Sequence, residues 1–126
     1  MADRQPNPFR KAGVTPAERP RVLVFAYACE PGRGSEPGVG WSLVQSVARF
    51  ADPVVLVGPE HIEAIRSWQA SNPGSPLEFE LVDEPKWARR LPHKPTEKSK
   101  HHLIGYFLAY LGWQRRAVRV ARRLHA

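Results

Sequence analysis

A chain of 126 residues with 42% apolar residues has room for one domain with a packed core and not for a second full one. Its single cysteine, Cys29, excludes an internal disulfide. With no CxxC or Cys/His ligand spacing, it also argues against a structural zinc site and fits a reducing, cytoplasmic compartment. The formal charge of +7 is unevenly spread: residues 1–85 carry a net −3 and residues 86–126 a net +10, so the basic character belongs to the C-terminal third.

The first 20 residues hold Pro6, Pro8, Pro16 and Pro20 among charged and small residues without a hydrophobic period, which predicts a disordered leader. No apolar segment follows the N-terminal charges, so this stretch is not a secretory signal. The fold is expected to start at Arg21. Residues 21–28 form a continuous β-branched and aromatic run, predicting a strand buried on both faces of a parallel sheet.

A glycine-rich turn is expected from Glu30 to Gly40. A helix follows from Trp41 to Phe50, with Trp41, Val44, Val47 and Ala48 on one face and Asp52-Pro53 ending it. Residues 53–58 read as a second buried strand, and residues 59–71 as a helix with Pro59 near its first turn and Asn72-Pro73-Gly74 after it. Residues 77–82 alternate as a half-exposed third strand. Residues 83–100, rich in Pro, Lys and Arg, predict a loop, and residues 100–126 one long helix.

Strand, helix, strand, helix, strand is the order of βαβ units, so the fold class is α/β, a Rossmann-like parallel sheet with flanking helices. The longest nearly uncharged apolar run, Leu103 to Trp113, is far shorter than the roughly 20 residues a spanning helix needs, so no segment is expected to cross a membrane.

The chemistry of interest lies between the first strand and its helix, where Gly32, Gly34, Gly38 and Gly40 fall within nine residues. Ligands of open α/β sheets bind at this end. Glycines there permit close backbone approach, helix N-terminal amides attract phosphate, and Arg33 is placed to add a bidentate phosphate contact. Pro37 stands where a dinucleotide fingerprint needs its third glycine, and no Gly-Lys-Ser/Thr closes a P-loop. The plainer alternative is a turn whose glycines only satisfy geometry.

The segment from Ala28 to Trp41 (Ala-Cys-Glu-Pro-Gly-Arg-Gly-Ser-Glu-Pro-Gly-Val-Gly-Trp) closely resembles the opening motif of a subgroup of family-4 glycosyltransferases. The resemblance extends through the strand before it, the helix and strand after it, and the stretch from Trp113-Gln-Arg-Arg to Leu124-His125. It implies the N-terminal half of a GT-B fold, residues 21–126 being a partial Rossmann-like domain on the acceptor side. The parent enzymes are retaining hexosyltransferases that need no metal or cofactor. They pass a sugar from a nucleotide-sugar, their substrate, to a glycan or lipid-linked acceptor. By the same resemblance Gly32, Gly34, Ser35, Glu36, Gly38 and Gly40 are the substrate-binding candidates; Arg33 joins them through its charge, Glu36 is read as a polar acceptor contact, and no catalytic residue is assigned. The family's donor-binding glutamates, eight positions apart, have no counterpart among the glutamates of this chain, so the domain reads as cut short and inactive by itself.

Other residues carry less. Cys29 reads as a small buried hydrophobe, and Glu30 is left without a role. His93, His101 and His102 cluster near the basic loop without the carboxylates a metal site would add. Tyr106, Phe107, Tyr110 and Trp113 suit core packing of the last helix or an interfacial belt. The alternative function is a basic module that associates with anionic membrane surfaces at the inner face. No nucleic-acid motif is present, so no nucleic-acid partner is expected.

Overall fold

The computed structural model describes residues 19–91 and 100–126. Most of the expected leader, residues 1–18, lies outside this range, as does His93; the side chains of His101 and His102 are likewise outside it. The chain divides into two units, one ending at Glu80 and one beginning at Leu81.

The first unit runs β1 (Arg21–Ala26), α1 (Ser35–Val47), β2 (Asp52–Val57), a 3₁₀ turn (Pro59–His61), α2 (Ile62–Ser71) and β3 (Glu78–Leu81). The sheet is parallel with order β1-β2-β3, a Rossmann-like arrangement. Its first pair is in register from Arg21 opposite Asp52 to Ala26 opposite Val57. Parallel neighbours joined by helical crossovers require this order of elements.

β2 lies in the middle, and its run Pro53-Val-Val-Leu-Val57 is buried throughout, as a strand covered on both faces demands. β1 departs from expectation. It is an edge strand of six residues, exposed at Arg21 and at Phe25, which keeps 48% of its surface in solvent. A continuous apolar run does not tell an edge from a centre, because neighbour count is decided by the sheet and not by the strand. β3 alternates as expected, with Phe79 turned inward.

α1 is the second departure. It begins at Ser35 rather than Trp41, so Glu36, Pro37, Gly38 and Gly40 belong to helix and the true turn shrinks to the residues up to Gly34. Pro37 is tolerated because first-turn amides have no intrahelical acceptor. The glycines serve packing. A Cβ on Gly40 would collide with the carbonyl oxygen of Ala28, and one on Gly38 with that of Arg33. Only hydrogen side chains let the helix lie this close to the segment that leads into it.

Trp41 then anchors the core of this unit. Its ring meets Trp68 of α2 edge-on at 4.8 Å and stacks on Phe79 of β3 at 5.9 Å, joining both helices and a strand on one face of the sheet. Val44, Ala48, Val55, Val57 and Ile65 complete the cluster, and Cys29 is buried in it. Burial pushes the Cys29 thiol up to about 11, which keeps it protonated and unreactive near neutral pH.

The fold starts two residues earlier than expected. Arg19 is buried, ion-paired with Asp52 at 2.8 Å, and donates to the carbonyls of Ala48, Ala51 and Arg49 at 2.7, 2.5 and 3.3 Å. These carbonyls sit just past the end of α1, whose last turn has no basic residue of its own, so the guanidinium acts as its C-terminal counter-charge. Pro20 continues the ladder by accepting from the Asp52 amide at 2.9 Å.

In the second unit the segment after β3 folds onto α3 (Lys100–His125). Trp113 is buried and its indole donates to the Val82 carbonyl at 2.8 Å, while Arg116 donates to that of Glu84 at 3.0 Å. Gly112 admits Pro85 and Trp87, since a Cβ there would lie 2.8 Å from the proline ring and 3.0 Å from the indole. A short 3₁₀ turn, Ala88–Arg90, interrupts the loop expected over 83–100.

Two outcomes follow from these contacts. Gly40→Ala improves helix propensity, yet is expected to destabilise by about 1–3 kcal/mol because the methyl meets backbone that cannot yield, and urea unfolding measures it. Arg19→Met is expected to cost about 1–3 kcal/mol by orphaning buried carbonyls, the Asp52 carboxylate being half in solvent. Arg19→Lys recovers only part of this, since one ammonium cannot reach all four acceptors.

Candidate functional site

The carboxyl ends of parallel strands are where backbone donors and loop side chains converge. Here the loops after β1 and β2 are joined: Gly58 donates to the Tyr27 carbonyl at 3.2 Å, and a Cβ on Gly58 would press on the Tyr27 ring at 2.9 Å. Glu30 closes the first loop by donating its amide to the Pro37 carbonyl at 3.0 Å.

The Glu30 side chain is the electrostatic centre of this end. Its Oε2 accepts from Arg33 at 2.9 Å and from His61 Nδ1 at 2.7 Å, spanning the loops after β1 and β2. The Arg33 hydrogen bond first, then that of His61, holds the Glu30 carboxyl below the usual glutamate range. The same contact, Glu30 first, raises the already high Arg33 pKa. His61 is buried and anchored through one ring nitrogen, the arrangement by which a carboxylate sets the orientation of an imidazole.

Sequence reasoning left Glu30 without a role and passed over His61. The signal was available: Pro59-Glu60-His61 follows β2 at the same sheet end that made the glycine loop a candidate. What it lacked was the register that brings residues 30 and 61 together.

The candidate residues separate by position. Arg33, Gly34, Ser35 and Gly38 line an open groove of about 510 Å³, with Val39, Ser42, Leu43 and Ser46 continuing along α1. Gly32, Glu36 and Gly40 are outside that lining. Glu36 is exposed in the first turn of α1, where a carboxylate complements the helix dipole. Gly32 adopts φ +72°, so its glycine is required by the backbone.

Gly34 has neither constraint. Its φ is −81°, open space surrounds its Cα, and it stands at the N-cap of α1, where no side chain satisfies the first amides. The next residue, Ser35, holds φ 61°, a left-handed conformation that costs a non-glycine residue about 1–3 kcal/mol. A strained residue and an uncapped helix start therefore share one end of the groove with Arg33. Unpaired amides and a partial positive charge suit an anionic oxygen group such as phosphate, beside a guanidinium that is already paired with Glu30. Among the described residues, no group of three His, Cys, Asp or Glu side chains is placed to hold a metal ion.

Gly34→Ser is expected to stabilise the chain by about 0.5–1 kcal/mol, by supplying the missing cap and stiffening the unfolded chain, and thermal melting tests it. Gly34→Val fits φ −81° and is expected to change stability by less than about 1 kcal/mol while its side chain obstructs the groove.

Acidification probes the Glu30 cluster. A carboxyl held low in the folded state adds stability above its ordinary value near 4.5, and this is lost as the pH falls through the lower folded value. Glu30→Gln should flatten that acid limb in urea midpoints taken from about pH 7 to pH 3, the effect being small because solvent screens the cluster. Comparison with models of known protein families, with curated proteins and with solved structures finds no match.

Proposed function

We propose that this chain is the acceptor-side, N-terminal part of a GT-B glycosyltransferase, serving transfer of a sugar from a nucleotide-sugar to a glycan or lipid-linked acceptor. The observation that carries this reading is the Ala28–Trp41 segment. It combines a resemblance to the opening motif of that family with an uncapped α1 N-terminus, Gly34 and Arg33 at one end of an open groove. Phosphate oxygens of a donor are the groups this end of α1 attracts, and the hydroxyl-bearing wall of Ser42 and Ser46 offers polar contacts to a sugar.

The Glu30–His61 pair has a supporting part in this proposal. It holds the loops after β1 and β2 in one arrangement, so that the α1 amides are positioned before any ligand arrives. Donor recognition by paired glutamates is assigned to a partner domain, since this chain holds no such pair.

Titration of the ¹⁵N-labelled chain with a UDP-sugar is expected to move the amides of Gly34, Ser35 and Glu36 with weak, roughly millimolar affinity. Free uridine should leave them in place, Gly34→Val should abolish the shifts, and no nucleoside diphosphate should be released. Shifts confined to other regions, or turnover by the chain alone, would overturn the proposal.

A further inference from the structure

The face of α3 turned away from its buried side is both apolar and cationic. Among the residues of this helix whose side chains are described, Gly105, Ala109, Gly112, Trp113 and Ala117 are buried. At 3.6 residues per turn, Ile104, Phe107, Leu108, Leu111, Arg115, Val118 and Arg122 fall within an arc of roughly 100°, with Arg119 at its margin. All are exposed, Ile104 and Phe107 each keeping 58% of their surface in solvent. One stripe therefore begins with large apolar side chains and continues along the same line into arginines.

We propose that this stripe docks onto an anionic lipid bilayer surface, the helix lying in the plane of the interface. Charge complementarity selects the occupant: residues 98–126 carry seven Lys or Arg and no acid. A second copy of the chain would bring the same charges against them. A nucleic acid would leave Ile104, Leu108 and Leu111 without a counterpart, whereas a bilayer accepts apolar side chains below the headgroups and guanidinium groups among them. No helix among the described residues is long and apolar enough to cross the membrane, so the contact is peripheral. The inference stands apart from sugar transfer, because it uses no residue of the glycine-rich groove.

Co-sedimentation of the whole chain with vesicles of phosphatidylcholine alone or mixed with phosphatidylglycerol tests it. Binding is expected on the anionic vesicles at low ionic strength, with release at high salt and little retention on neutral ones. The triple variant Arg115→Gln, Arg119→Gln, Arg122→Gln should weaken binding about fivefold per arginine replaced. Ile104→Asp and Phe107→Asp should weaken it as well, with melting temperatures little changed because both positions are more than half exposed. Arg49→Gln with Arg66→Gln removes charge elsewhere and should leave binding within about twofold, separating the stripe from net charge. Four results would overturn the proposal: no binding at low salt, equal binding to neutral vesicles, equal loss in the Arg49/Arg66 control, or self-association or duplex DNA binding by the stripe without vesicle binding.

Discussion

The close approach of α1 to the backbone leading into it governs the first unit. Where Gly40 faces the Ala28 carbonyl and Gly38 faces that of Arg33, a methyl group would force the helix outward. Trp41 follows directly and depends on that approach to reach Trp68 and Phe79. The glycines thus set the depth at which the largest side chain of this core is inserted, and through it the contact among α1, α2 and β3.

The same constraint shapes the candidate site. By drawing the start of α1 back to Ser35, it leaves a short turn in which Gly32 and Ser35 take left-handed conformations and Gly34 stays extended. The Glu30 amide bonds from that turn to the Pro37 carbonyl in the start of α1, and its side chain reaches across to His61. Packing and electrostatics are coupled here. Glycines that a motif reading assigns together to a ligand divide into two that serve helix packing, one that serves a turn, and one, Gly34, whose surroundings are open.

Charge is handled differently at the two ends of α1. Its first turn is uncapped and beside Arg33, whereas its end is neutralised by Arg19, a residue that precedes β1 and carries no periodic signal. Buried guanidinium groups are tolerated when every donor direction meets an acceptor, and Arg19 finds one carboxylate and three carbonyls. In the second unit Trp113 obeys the same rule with the Val82 carbonyl.

Local composition alone determined much of this protein. β-branched runs and helical spacing placed β2, β3 and α3 within a residue and α2 within three at its start, where Pro59–His61 forms a 3₁₀ turn, because a strand or helix announces its period in its own side chains. The glycine-rich segment Ala28–Trp41 was legible as a candidate ligand loop for the same reason, being contiguous. What tertiary structure alone decided are the relations between distant residues: β1 as an edge with Phe25 exposed, Glu30 against His61, Arg19 against residues 48–52, and α1 beginning six residues early. Each depends on what lies opposite in space. Neither propensity nor spacing encodes that, since a glycine that permits close packing and one that permits a turn are the same letter.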